Sequence, residues 1–193
     1  MERLLESSWS NGNRATLSGV PSSLELREQL IGAIADVIAE RGEQYQDIAL
    51  QVGIDKGDVS RLANRLIEDF SAERLVNYCH LFGLKLRMRV DGRNDRSKVS
   101  GPSTRLSTKA IPETDYTEAG RLIRQLGNTI ADEIETSPLK QSDFAIQKGL
   151  PRSTISTLKN RRLDRFKLDT LIDYAPRFGL QVDITASPAA RSA

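Results

Sequence analysis

The feature that most constrains this chain is an internal repeat. Shifted by 96 residues, segment 27–90 aligns with 123–186 without a gap, and 20 of the 64 paired positions are identical. The identities include Gln29/Gln125, Leu30/Leu126, Ile34/Ile130, Ala35/Ala131, Asp36/Asp132, Ile38/Ile134, Asp47/Asp143, Ala49/Ala145, Gln51/Gln147 and Gly53/Gly149. They continue through Ser60/Ser156, Leu62/Leu158, Asn64/Asn160, Arg65/Arg161, Phe70/Phe166, Leu75/Leu171 and Tyr78/Tyr174, and close with Phe82-Gly83-Leu84 against Phe178-Gly179-Leu180. Chance similarity between helical stretches does not keep glycines and an ordered closing trio in register. A chain of 193 residues therefore holds two small domains rather than one large one.

The reading places the domains at 24–90 and 118–186. Between them, 91–117 (DGRNDRSKVSGPSTRLSTKAIPETDYT) is polar and rich in Ser, Thr, Gly and Pro, and reads as a flexible linker. Residues 1–23 read as a flexible N-terminal segment with a short apolar start (Leu4, Leu5, Trp9) that could dock as a helix, and 187–193 as a disordered tail. Hydrophobic residues make up 38% and charged residues 28%, a soluble mixture. One cysteine (Cys79) and one histidine (His80) exclude an internal disulfide and a Cys/His zinc cluster. No nucleophile or acid stands at a companion spacing to His80, so neither catalysis nor a cofactor nor a metal is expected. No apolar run reaches the roughly 18 residues of a membrane span, and 1–20 lack a signal-peptide core, so a cytoplasmic protein is expected.

Within the first copy, Leu26, Leu30, Ile34, Val37 and Ile38 recur at helical spacing, predicting a helix over 25–41 that ends near Gly42. Shorter helices follow at about 45–52, stopped by Gly53, and 56–64, burying Val59 and Leu62. A fourth starts after Ser71, a suitable N-cap, with Leu75, Tyr78, Cys79 and Phe82 on one face. Strict alternation in Leu84-Lys85-Leu86-Arg87-Met88-Arg89-Val90 predicts a half-buried strand. The second copy repeats the plan with helices near 119–135, 141–148, 152–160 and 168–178, then a strand over 180–186. Pro176 is expected to kink or shorten its last helix.

Two short helices joined by a glycine turn, with Ala49 or Ala145 allowing close packing and Val59 or Ile155 plugging the junction, form a helix-turn-helix arrangement. LKQSDFAIQKGLPRSTISTLKN (139–160) resembles the helix-turn-helix of Xre/Cro/lambda-repressor-like regulators, and EQYQDIALQVGIDKGDVSRLAN (43–64) is a weaker version. The continuation RLDRFKLDTLIDYAPRFGLQVDI is similar to HigA- and HipB-type antitoxin repressors, in which terminal strands of two protomers pair. The resemblance covers both repeats, and neither 1–24 nor the linker. It implies a mainly all-α fold of two lambda-repressor-like domains in tandem. The two terminal strands are expected to pair as an intramolecular sheet, making a covalent pseudodimer.

In such motifs the recognition helix offers its first turn to base edges and the preceding helix sets its N-terminus over a phosphate. In the second copy the groove-facing positions are Arg152, Ser153, Ser156 and Thr157, with Arg152 suited to bridge guanine N7 and O6. Gln141 matches the family's glutamine at the start of its second helix, implying a phosphate contact. Lys159, Asn160, Arg161, Arg162 and Arg165 form a basic loop suited to the DNA backbone, a solvated face being the plainer alternative. The first copy's positions are Lys56, Gly57, Ser60 and Arg61, then Asn64 and Arg65, with Tyr45 in place of the glutamine and Asp58 at the groove-facing start.

Charge separates the copies. Window 148–167 holds seven basic residues and one acidic, whereas 52–71 holds three and four, so the first copy is expected to bind DNA more weakly, read a different half-site, or have turned to protein binding. The formal net charge of +2 averages −2 over 24–90 with +2 over 118–186 and +2 elsewhere. A 27-residue flexible linker spans roughly 26–31 Å root-mean-square, enough to join two such units. The expected function is sequence-specific transcriptional regulation, by repression, at an imperfect palindrome or asymmetric operator in nucleoid DNA. The alternative is an antitoxin that neutralises a toxin through the first repeat, the linker or the N-terminal segment. Further homodimerisation stays open.

Overall fold

The computed structural model describes residues 22–92 and 117–188. The expected flexibility of the N-terminal segment, the linker and the tail, and the docking helix at 1–9, lie almost wholly outside these residues. The first repeat comprises α1 (Ser23–Arg41), α2 (Tyr45–Val52), α3 (Lys56–Ala63), a 3-10 turn (Ile67–Asp69), α4 (Ala72–Leu81) and β1 (Leu84–Gly92). The second comprises α5 (Glu118–Thr136), α6 (Gln141–Lys148), α7 (Arg152–Lys159), a 3-10 turn (Leu163–Arg165), α8 (Leu168–Tyr174), a 3-10 turn (Ala175–Phe178) and β2 (Leu180–Pro188).

Local chemistry explains the boundaries. α1 begins two residues before its periodic pattern because Ser22 and Glu25 form a capping box, Glu25 N–H donating to Ser22 Oγ and Ser22 N–H to Glu25 Oε2. Ser71 caps α4 as expected, accepting from Arg74 N–H. Gly53 and Gly149 end α2 and α6 in the left-handed region at φ 77° and 62°. Pro176 does shorten its helix: α8 stops at Tyr174 and continues as a 3-10 turn. The 3-10 turns after the recognition helices had no sequence signal of their own. Each strand runs two residues beyond the alternating stretch, because the antiparallel ladder keeps pairing to Gly92 and Pro188.

β1 and β2 form the antiparallel two-stranded sheet expected from the repeats. Leu84, Leu86, Met88, Leu180, Val182 and Ile184 are buried against the helices, and the alternating residues face solvent. The register pairs Met88 with Ile184, and these two are also repeat equivalents, 96 residues apart. A pseudo-twofold axis therefore passes through that pair. Helix contacts obey the same symmetry: Ala72 N–H donates to Asp169 Oδ2 (3.1 Å), and its equivalent Leu168 N–H donates to Glu73 Oε1 (2.9 Å). Each repeat thus caps the other's last helix, and the apolar side chains of both merge into one core.

Candidate nucleic-acid interface

Each repeat presents its second and third helices as a compact corner. In α7, Ile155 and Leu158 are fully buried, which turns Arg152, Ser153, Ser156 and Thr157 to the opposite side. Arg152 and Ser153 are exposed, while Ser156 and Thr157 are half-buried. Val59 and Leu62 anchor α3 in the same way, leaving Lys56 and Arg61 exposed and Gly57 and Ser60 half-buried on its outer face. Among the described residues, α2 and α6 begin at Tyr45 and Gln141 without a side-chain cap, and α7 likewise, which leaves their first N–H groups open to an anion. α1, α3, α4 and α5 are capped by Ser22, Asp55, Ser71 and Thr117.

Several candidate residues are engaged within the protein. Asn64 and Asn160 donate Nδ2–H to Ser60 O and Ser156 O, both at 2.8 Å, closing the ends of α3 and α7. Arg65 and Arg161 adopt left-handed backbone, φ 55° and 52°, and turn back onto the first helix of their own repeat. Arg65 pairs with Asp36 (2.8 Å), and Arg161 pairs with Asp132 (2.7 Å) and Glu135 (3.2 Å). The Asp132 carboxylate raises the Arg161 guanidinium pKa. Thr157 Oγ1–H donates to Ser153 O (2.8 Å). By contrast, the side chains of Arg152, Lys159, Arg162 and Arg165 are exposed and make no hydrogen bond or ion pair among the described residues. The shared Asn64/Asn160 and Arg65/Arg161 are therefore scaffold, and on the outward face Ser60/Ser156 is shared while Lys56/Arg152, Gly57/Ser153 and Arg61/Thr157 differ.

Asp58 is the clearest correction. It does not face outward: it is 5% exposed and accepts hydrogen bonds from Tyr78 Oη–H (2.6 Å), Arg74 Nη2–H (2.5 Å) and Arg61 Nη1–H (3.1 Å). It stands four residues before Leu62 on the same face of α3, and so reaches the α4 side. Burial and the Asp58 hydrogen bond raise the Tyr78 pKa, keeping that hydroxyl protonated as the donor. Sequence reasoning also missed Arg177, whose Nη1–H donates to Gly149 O (2.8 Å) and braces the turn of the second motif. Its only sequence signal is a basic residue late in the final helix.

Outside this face, Cys79 is fully buried, and burial pushes its thiol pKa up to about 12, which removes it as a nucleophile at neutral pH. His80 is exposed. Among the described residues no cluster of His, Cys, Asp and Glu could hold a metal, and no helix is long and apolar enough to cross a membrane.

Two short helices packed at a glycine turn, repeated about a pseudo-twofold axis with uncapped N-termini facing out, define a tandem helix-turn-helix DNA-binding protein. The chain belongs to a family of helix-turn-helix domains, whose model matches it twice, over residues 18–91 and 113–187. No curated protein and no solved structure matches the chain.

Proposed function

We propose that the protein is a sequence-specific transcriptional regulator that binds double-stranded DNA as a covalent pseudodimer and represses by occluding a promoter. The observation that carries this reading is the register of the sheet, centred on Met88 and Ile184. One chain thereby relates two recognition helices by a pseudo-twofold axis, as a symmetric dimer does when it reads half-sites about 34 Å apart. The terminal strand pairing also supports the narrower kinship with Xre/Cro-like and HigA/HipB-type regulators. In the second repeat, Arg152 reads a base, and Ser153, Ser156 and Thr157 line the groove. Gln141, Lys159, Arg162 and Arg165 hold phosphates, while Asn160 and Arg161 position the helix and loop. In the first repeat, Lys56, Gly57, Ser60 and Arg61 face the groove, with Asn64 and Arg65 in support. Because these sets differ, the operator is an imperfect palindrome, and the protein acts on nucleoid DNA in the cytoplasm.

Selection of bound sequences from random DNA, followed by footprinting, tests the proposal. Two unlike half-sites one helical turn apart support it; a single half-site, or no selected sequence, overturns the pseudodimer or the DNA reading respectively. A toxin-neutralising role uses a different surface. Leu50 (76% exposed) and Ile146 (81% exposed) are repeat equivalents on the outer faces of α2 and α6, so each repeat offers a protein one apolar side chain there. Co-purification of a partner that is lost in a Leu50→Ser, Ile146→Ser variant, with DNA binding retained, favours that role.

A further inference from the structure

The first repeat holds a buried charge that the second lacks. Asp58, Arg61, Arg74 and Tyr78 correspond to Thr154, Thr157, Thr170 and Tyr174, so only the tyrosine is shared. Tyr78 Oη–H and Arg74 Nη2–H fix one carboxylate oxygen of Asp58, and Arg74 Nε–H also donates to Tyr78 Oη (3.0 Å). The Arg74 guanidinium lies over the rings of Phe70 (5.2 Å) and Tyr78 (5.4 Å), which holds it in place. The second carboxylate oxygen accepts from Arg61 Nη1–H (3.1 Å), one turn along α3.

Arg61 is thereby folded back over the first turn of α3. A Cβ on Gly57 would stand 2.7 Å from Asp55 Oδ1, which caps α3, and 3.3 Å from Arg61 Nη2, so the bare Gly57 leaves room for both the cap and the folded-back arginine. Arg61 Nε and Nη2 make no hydrogen bond among the described residues, and the side chain is 44% exposed. One part of the guanidinium is anchored on a buried carboxylate while the remaining donors are open. Anchoring of this kind removes rotamer freedom before binding, which an unsupported arginine must lose on contact.

We propose that Asp58 is a positioning residue that presents Arg61 to a guanine, so that the first repeat reads its own half-site with an arginine delivered from the second turn of its recognition helix. This rests on the DNA-binding reading above. The second repeat delivers Arg152 from the first residue of α7 instead, with no carboxylate support among the described residues. The two half-sites therefore carry guanines at different distances from the pseudo-twofold axis. Asp58, an acidic residue in a poorly basic window, serves base reading rather than weakening it.

The test is selection from random DNA with the full chain, comparing Arg61→Ala, Asp58→Asn and Asp58→Thr. Arg61→Ala and Asp58→Asn should flatten preference at the same guanine of one half-site, each weakening binding to the selected site on the order of 10- to 100-fold. The other half-site should be unchanged. The double variant should lose no more than Arg61→Ala alone. Asp58→Thr introduces the residue found at the equivalent Thr154 and removes the carboxylate that anchors Arg61. It keeps the proposal testable if Asp58→Asn does not fold. A folded Asp58→Asn or Asp58→Thr protein that retains the guanine preference overturns the proposal, as does indifference to Arg61→Ala. A wild-type chain that selects only the Arg152 half-site also overturns it while leaving DNA binding intact. Failure of the wild-type chain to select any sequence overturns the functional reading itself.

Discussion

Arg152 and Arg161 were equal candidates by charge, and their surroundings separate them. Arg152 stands exposed on the first turn of α7, and Arg152→Ala should relax base preference at one position at a cost of about 1–3 kcal/mol, measurable by binding to single-base operator variants. Arg161 is spent on Asp132 and Glu135, in a backbone conformation that a non-glycine residue adopts only when its surroundings hold it. Arg162→Ala should lower the salt dependence of DNA binding by about one counterion without changing sequence preference. Arg161→Ala should leave that slope closer to wild type and destabilise the second repeat by up to about 1 kcal/mol, since its ion pairs are partly solvated. Equal losses of slope in both variants would show that Arg161 leaves its carboxylates to bind DNA.

At the scale of elements, the two repeats solve one packing problem differently. In α5, a Cβ on Gly127 would stand 2.5 Å from Leu163 Cδ2, so the leucine of the 3-10 turn fills the notch that glycine leaves. The first repeat places Ile31 and Ile67 at these positions. Gly127→Ala should therefore destabilise by about 1–2 kcal/mol despite alanine's better helix propensity, because the displaced Leu163 overpacks the core. Urea unfolding checks the sign; a stabilised variant would mean that the turn yields without strain. The join between α5 and the sheet is polar. Arg121 Nη2–H donates to both Glu118 Oε1 and Leu86 O, and Gln125 Nε2–H donates to Met88 O (3.0 Å). The Arg121 hydrogen bond holds the Glu118 carboxyl below its usual range. A depressed folded pKa contributes stability above the unfolded value, and this contribution is lost as pH falls through the folded value. Stability should thus fall on acidification below the normal carboxylate range, and Glu118→Gln should flatten that part of the pH profile in thermal melts.

For the whole molecule, the sheet and the reciprocal caps couple the two reading heads. Met88→Pro places a residue without an N–H at the pseudo-twofold centre of β1 and should uncouple the halves. The footprint should shorten to one half-site, and an unaltered footprint length would count against the pseudodimer. The sequence by itself determined the repeat, the helix-turn-helix corners and the strands, because hydrophobic period, glycine turns and alternation are local signals that a linear chain displays, while the pairing of the strands was implied by the family resemblance. It also placed Arg152 on the outer face, since a helical period orients side chains without knowledge of neighbours. Only the tertiary structure decided which charges are available. Asp58 looked outward until Arg74 and Tyr78, far along the chain, enclosed it, and Arg161 looked free until Asp132 and Glu135 met it across the domain. Ion pairs between distant residues have no period, and their partners are chosen by packing.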